Sequence, residues 1–317
     1  MKSSINVSKE NSKDNESAKP NPILENIKSR YILSKIYDNM TKKKKLQIVK
    51  YNKRIQNRLN LDVKDYKEYC EIEIEIISIK DKYGKFININ ENDKFFYHIY
   101  FKDNKEEIKN KYEINEENKV AKIKIIIDYQ VKSFKKLFIN CECIESINFK
   151  KFYRNNITDM SFMLYECSSL KELNLTNFNT NNVTDMRALF YGCSSLKELN
   201  LTNFKTDNIT DMSFMFYECS SLKELNLSNF NTNNVIDMSF MFYKCLSLKE
   251  LNLTNFNTNN VTDMSSMFYE CSSLKELNLT NFNTNNLTNM ERIFYGCSDD
   301  LKRKIKSENK NIKDEAF

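Results

Sequence analysis

The sequence has very little glycine, proline and histidine and no tryptophan: 3 Gly, 2 Pro, 1 His and 0 Trp in 317 residues. Because His98 is the single histidine and no glycine-rich phosphate loop or nucleophile motif is present, the sequence offers little for catalysis. We therefore expect no enzymatic activity. With so little glycine and proline, turns must be made by Asn, Asp, Ser and Thr side chains that bond to nearby backbone groups.

Long apolar runs are also missing. Residues 1–22 lack the apolar stretch of a secretory signal, and no later segment has the length that a membrane-spanning helix needs. We therefore expect a cytoplasmic protein. In that compartment the 9 cysteines would be free thiols rather than a disulfide framework.

What the sequence does contain is one unit repeated between Asn156 and Cys297, with the pattern N-[VIL]-T-[DN]-M-x-x-[ML]-F-Y-x-C-S-S-L-K-E-L-N-L-T-N-F-x-T. The unit returns every 26 residues, which is the spacing between Met160 and Met186, without an insertion or deletion. A period this strict is typical of stacked structural units rather than of a globular domain with a pocket.

Two segments of the unit carry structural predictions. The L-K-E-L-N-L segment, as in Leu170–Leu175, predicts a short strand with leucines pointing inward. The return segment, as in Thr184–Cys193, predicts two helical turns with Thr184 as N-cap and Asp185 as a first-turn charge. One cysteine column fills a single repeat position, and we interpret it as buried packing. Its members are Cys141, Cys167, Cys193, Cys219, Cys245, Cys271 and Cys297.

These residues resemble the BspA-like leucine-rich repeat family, whose short form has NVTDMSxMFxxCSSLxxLxLSxF units. The resemblance covers Asn156–Cys297 closely and extends in degenerate form back to about Asp128. It implies an α/β fold, a right-handed leucine-rich-repeat solenoid with a parallel sheet on its concave face. It also implies a role in protein interaction or adhesion.

Four segments divide the chain. Residues 1–21 are polar and predict a disordered tail, residues 128–300 the solenoid, and residues 301–317 a C-terminal cap with a helix starting near Ser298. Residues 22–127 predict a helical hairpin and a small α+β domain.

Within residues 22–127, Tyr31 and Ile32 belong to the expected apolar stripe of the first helix. Isoleucines alternate with charges at 72–76 and at 122–127, which predicts two neighbouring strands with glutamates on one and lysines on the other. A helical turn or two is expected at 105–111.

The hairpin allows two functional alternatives. Its basic cluster from Lys42 to Arg58 would suit nucleic acid or an anionic membrane, but a solvated helix face is the commoner outcome. The segment around residues 29–61 also resembles an F-box. That resemblance implies a ubiquitin-ligase substrate adaptor, whose residues 23–65 would dock a cullin adaptor. A plain structural support is the simpler interpretation.

We therefore predict a non-enzymatic interaction scaffold that binds a protein partner on the concave face, with no cofactor and no metal. The alternatives are the F-box-like adaptor and a surface adhesin. The partner would bind the outward columns of the L-K-E-L-N-L segments, which we name the Lys–Glu–Asn face. It comprises Lys171, Glu172, Asn174, Lys197, Glu198, Asn200, Lys223, Glu224, Asn226, Lys249, Glu250, Asn252, Lys275, Glu276 and Asn278.

Overall fold

The computed structural model describes residues 27–40, 53–59, 70–101, 106–117, 120–279, 281–309 and 311–317. The chain divides into two compact units, Met1–Tyr69 and Cys70–Phe317. The predicted tail at 1–21 lies outside the described residues. Within the described ranges, no α-helix combines the length and the apolar composition that crossing a bilayer requires.

The first unit contains two helices, α1 (Arg30–Asp38) and α2 (Lys53–Arg58). Ser29 caps α1, because its hydroxyl accepts a hydrogen bond from a first-turn amide. Leu33 of α1 and Ile55 of α2 are buried in one small cluster. The two helices of the predicted hairpin are therefore present and packed together.

The apolar stripe of α1 differs from the prediction. Leu33 and Tyr37 are buried, whereas Tyr31 and Ile32 are 70% and 52% exposed. Residues four apart lie on the same face of a helix, so the contact through Leu33 and Tyr37 turns the other two side chains outward. The first helix therefore presents two large apolar side chains to solvent.

The second unit holds the strands. They are β1 (Ile72–Ser78), β2 (Gly84–Lys85), β3 (Tyr97–Phe101), β4 (Glu113–Ile114), β5 (Lys122–Ile127), β6 (Ile144–Lys151), β7 (Glu172–Asn174), β8 (Glu250–Asn252) and β9 (Glu276–Asn278). Among the described residues they form a five-stranded sheet, in the order β3-β5-β1-β6-β7, and two small sheets, β2-β4 and β8-β9.

The predicted pairing of the isoleucine strands is confirmed. β1 and β5 are antiparallel, with Ile74 opposite Ile125 and Glu75 opposite Lys124. Side chains alternate between the two faces, so charged side chains share the wet face. The buried isoleucines on the other face are Ile72, Ile74, Ile76, Ile123, Ile125 and Ile127. There Lys122 Nζ lies 2.9 Å from Glu75 Oε2. The opposite charges thus favour this register.

The sheet continues into the repeat array. β6 pairs antiparallel with β1 and parallel with β7, so hydrogen bonds link both sides of residue 128. The helical turn expected at 105–111 is wrong for its described part. There the Ile108 N–H donates to Ile99 O at 2.7 Å and forms a β-bridge.

The return segments are turns rather than helices, which corrects the prediction. In a helix each N–H bonds to the carbonyl four residues earlier. Here every second N–H group donates to a carbonyl oxygen of the next unit, as Met212 N–H does to Asp237 O at 2.9 Å. The N–H groups between them donate to the carbonyl oxygen three residues earlier and so close turns. Two residues per segment have positive φ, such as Phe214 at 59° and Glu218 at 53°.

The predicted N-cap and first-turn charge therefore have other roles. Thr184 Oγ1 donates to Thr158 O of the preceding unit at 3.2 Å. The carboxylate of Asp185 accepts a hydrogen bond from the Arg187 N–H, two residues on, at 3.0 Å. This arrangement is an Asx turn, the device that the scarcity of glycine and proline predicts.

The predicted fold class is wrong. Instead of one parallel sheet along a face, the described residues form small mixed sheets and few helices. In this part of the chain, the L-K-E-L-N-L segments pair in parallel only as β7 with β6 and as β8 with β9. The equivalent segments at 198–200 and 224–226 form no strand. The backbone hydrogen bonds between successive units recur mainly in the return segments.

Equivalent side chains stack in columns inside the array. The rings of Phe190, Phe216, Phe242, Phe268 and Phe294 follow one another at centroid distances of 5.5–5.7 Å. All are buried. The repeat thus builds one continuous apolar core from identical layers.

The C-terminal residues close the last unit. Helix α3 (Asp299–Glu308) starts as predicted, since the Ser298 hydroxyl accepts a hydrogen bond from the Leu301 N–H. After this helix, the carbonyl oxygens of Glu315 and Ala316 accept hydrogen bonds from the Arg292 N–H and the Phe294 N–H of the last return segment. For the Arg292 and Phe294 N–H groups, these two residues replace the acceptors that a further unit would supply.

Candidate functional site

The Lys–Glu–Asn face is built by the alternation in the L-K-E-L-N-L segments. In each segment the outer leucines, such as Leu196 and Leu201, are buried, and the central one, such as Leu199, is 8% exposed. Burial of the leucines turns the intervening charges and amides outward. All fifteen predicted residues of the face are exposed.

Two open depressions lie on this face. The first has a volume of about 550 Å³ and is lined by Glu172, Glu198 and Glu224 together with the central leucines. The second, of about 510 Å³, is lined by Glu250 and Glu276 and by side chains of α3. Lys304 and Glu308 of α3 were not predicted as part of the site. The face is therefore recessed at both ends of the array, with an apolar floor and charged walls.

The charges on the face are largely unpaired. Lys171 Nζ lies 2.9 Å from Glu145 Oε1, and this hydrogen bond raises the pKa of Lys171. Among the described residues, no other lysine or glutamate of the face forms an ion pair. Columns of like charge that run through successive layers repel one another weakly. A complementary partner would relieve that repulsion.

The asparagines of the face have a structural role that the sequence prediction missed. The Asn200 side-chain oxygen accepts hydrogen bonds from the Thr202 N–H at 3.1 Å and from the Thr202 hydroxyl at 2.7 Å. Asn174 and Asn252 make the same pair of bonds in their units. The N-L-T spacing is the signal for this Asx turn. The asparagine oxygens are thus committed to the turn, and the charged columns remain for a partner.

The cysteine column is buried, as predicted, and all its thiols are free. From Cys167 onward each Sγ donates to a carbonyl oxygen of the preceding unit, for example Cys219 to Phe190 O at 3.1 Å, whereas Cys141 donates to Ile139 O. Burial raises the pKa of Cys219 to about 12, which keeps the thiol protonated and unreactive. Within the described residues, no cluster of three or more His, Cys, Asp or Glu side chains is arranged to hold a metal ion.

The single histidine lies between two carboxylates. His98 Nδ1 is 3.1 Å from Glu107 Oε1, and Nε2 is 3.6 Å from Asp128 Oδ1. Next to this group, the buried Arg154 donates to the Asp128 carbonyl oxygen at 2.6 Å. These contacts link β3 to Asp128 and Arg154, at the start of the repeat array.

Only the end of the predicted basic cluster is described. Lys42 to Lys45 and Lys50 lie outside the described residues. Arg54 is exposed, while Arg58 Nη2 donates to Ile27 O and thereby links α2 to the residues before α1. One arginine of the cluster thus has a structural role.

A comparison with known proteins assigns the repeat region to a protein family. No match was found among curated proteins or among solved structures. A family model described as "Mycoplasma protein of unknown function, DUF285" matches residues 132–249 and 221–314, which together span more than half of the chain. The protein belongs to the DUF285 family.

Proposed function

We propose that this protein is a non-enzymatic interaction scaffold that binds a protein partner through the charged columns of the Lys–Glu–Asn face. The observation that carries the proposal is the exposed and almost wholly unpaired set of lysines and glutamates beside two depressions with apolar floors. Burying an apolar floor supplies affinity, and a charged rim selects the partner and its orientation.

The NVTDMSxMF and CSSLxxL strings support a finer placement within this proposal. We place the repeats with the BspA-like type inside the DUF285 family, on the strings quoted from the sequence. We also place the protein in the cytoplasm, because its nine cysteines are free thiols and the cytosol keeps thiols reduced.

A charge-reversal variant tests the proposal. Glu198→Lys, Glu224→Lys and Glu250→Lys together reverse the centre of the face, and the leucines beneath stay unchanged. Proteins retained by the tagged wild-type chain in its source cells are identified by quantitative mass spectrometry. We expect the partner to be lost from the triple variant, because like charges then meet across the interface.

The matched control carries the same charge change on other exposed glutamates: Glu116→Lys, Glu117→Lys and Glu291→Lys. It should retain the partner. If all three proteins capture the same set, the face is not the binding site. If the control loses the partner as well, net charge rather than the face explains the loss.

One observation favours a second candidate, the F-box-like adaptor: Tyr31 and Ile32 on α1 are exposed and apolar. Such residues would suit docking to a cullin adaptor. Tyr31→Ser with Ile32→Ser should then abolish co-purification of that adaptor. If the wild-type chain does not co-purify a cullin adaptor, the candidate fails.

A further inference from the structure

The return segments form a second outward surface, and one unit differs there from its neighbours. At its first outward position Ile236 stands where other units have Thr184, Thr210 and Thr262. At its last, Leu246 stands where other units have serine. Because the units are otherwise so similar, such departures are where a specific property of this chain can lie.

Both departures add exposed apolar surface. Ile236 is 49% exposed and Leu246 is 41% exposed, and in sequence they lie on either side of Phe240 and Tyr243. The two most exposed side chains of this return segment are therefore aliphatic, whereas Phe240, Tyr243 and Lys244 are half-buried. The corresponding side chains in the next unit are Thr262, Ser266, Tyr269 and Ser272.

Aromatic rings of two units lie between the positions of Ile236 and Leu246 along the return segments. Phe214 and Phe240 stack with centroids 4.8 Å apart, and Tyr217 and Tyr243 stack at 4.5 Å. The two stacks lie beside each other, with Phe240 and Tyr243 at 5.8 Å. We name this surface the apolar patch. Its members are Phe214, Tyr217, Ile236, Phe240, Tyr243 and Leu246.

The fold does not require the two aliphatic side chains. The Ile236 N–H donates to Thr210 O at 2.8 Å, and the Thr262 N–H makes the same bond in the next unit at the same length. The Leu246 N–H bonds to Lys244 O at 2.8 Å, as Ser220 does to Glu218 O. Thr and Ser thus support the same backbone. Exposed apolar surface that the fold does not require is typical of interaction sites.

Carboxylates surround the apolar patch. Asp211, Asp237 and Asp263 are half-buried and occupy successive layers beside Ile236. On the other side, Lys244 Nζ lies 3.9 Å from both Glu218 and Glu270, so one cation meets two anions. Arg187 Nη1 lies 3.7 Å from Asp211 Oδ2, so the rim holds five carboxylates and two cations and is net negative.

We propose that the apolar patch binds a protein segment whose apolar side chains are flanked by lysine or arginine. The aliphatic and aromatic centre takes the apolar side chains, while the carboxylates attract the flanking cations. A second copy of this chain fits less well, since it would bring one carboxylate rim against another. This surface is separate from the Lys–Glu–Asn face, and the proposal does not depend on that face.

A selection experiment tests the proposal with a defined probe. A random-peptide library displayed on phage is selected on the wild-type protein and depleted on the double variant Ile236→Thr, Leu246→Ser. The variant carries residues found at the same positions in neighbouring units, so its folding should be unchanged, which circular dichroism and urea unfolding check. The control Phe95→Ser removes a side chain that is 86% exposed outside the array.

The expected result is enrichment of peptides with apolar centres and basic flanks. Their dissociation constants should rise at least about tenfold on the double variant and stay unchanged on the Phe95→Ser control. Enriched peptides with acidic flanks, equal binding to the double variant, or no enrichment would each overturn the proposal. So would sedimentation showing a wild-type dimer that the double variant abolishes, because the occupant would then be a second copy.

Discussion

Replacing the buried Thr232 by valine should destabilise the repeat array by about 2–4 kcal/mol. The Thr232 hydroxyl donates to Asn257 O at 3.0 Å and accepts from Asn257 N at 2.7 Å, so one side chain satisfies both backbone groups of a residue in the next unit. Thr232 is 1% exposed. Thr180, Thr206 and Thr258 make the same two bonds in their own units.

The magnitude follows from what valine leaves behind. Valine has nearly the shape of threonine, so packing is retained while the N–H and C=O of Asn257 lose their partner. A buried polar group left unsatisfied costs about 1–3 kcal/mol, and because Asn257 is only half-buried we take about 1–2 kcal/mol for each of its two backbone groups. Thr232→Ser is the matched control. It keeps the hydroxyl and loses one buried methyl group, which costs about 1 kcal/mol.

Urea unfolding of the three proteins measures the difference, and amide hydrogen exchange locates it. Exchange at the Asn257 N–H should accelerate at least about tenfold in the valine variant, since a tenfold change corresponds to about 1.4 kcal/mol. The reasoning is refuted if serine costs as much as valine. It is also refuted if the valine variant unfolds like the wild type, because the hydroxyl would then contribute nothing between units.

Three further predictions concern charge, pH and capping. Lys244→Glu replaces two ion pairs by two repulsions, with Glu218 and with Glu270, and should cost about 1–2 kcal/mol in low salt and less in high salt, measured by urea unfolding. The pKa of Cys219 is raised to about 12, above the value of about 8.5 for an unfolded thiol, so the unfolded chain loses this proton first. This thiol should therefore leave the free energy of unfolding unaffected below about pH 8.5 and lower it as the pH rises toward about 12. In Cys219→Ala the free energy of unfolding should fall less steeply over the same range. Ser298→Ala removes the cap of α3 and should lower the free energy of unfolding by about 1 kcal/mol, with Asp299→Asn as a control that retains the hydroxyl.

Sequence patterns predicted the elements that depend on local alternation. The isoleucines of β1 and β5, the cap at Ser298 and the outward columns of the Lys–Glu–Asn face all follow from which side chains must avoid water. Each of these features can be predicted from the sequence of one segment or of one pair of segments.

The return segments show where such patterns fail. Apolar residues such as Met186, Leu189, Phe190 and Cys193 recur at intervals of three and four, which suits a helix. Consecutive four-residue turns bury the same positions, so the spacing cannot distinguish the two. The choice depends on whether an N–H bonds within its own unit or to the next, and that depends on how closely the units approach.

The apolar patch was missed for a different reason. A repeat is recognised by what its units share, whereas Ile236 and Leu246 stand out only when each unit is compared with its neighbours. The charged columns of the Lys–Glu–Asn face are uniform and gave no hint of one partner over another. In a chain of this kind, binding specificity is best sought at the exceptions to the consensus.

The hydrogen bonds that run from one return segment to the next also bear on how such a gene can change. Gain or loss of a whole 26-residue unit leaves every remaining donor facing an acceptor, because the new neighbours are equivalent to the old ones. A gain or loss of one residue would displace the whole series of bonds between two units. Unequal recombination between the repeats can therefore lengthen or shorten the protein in whole units, whereas an insertion of one or a few residues within a unit would break the hydrogen bonds between units.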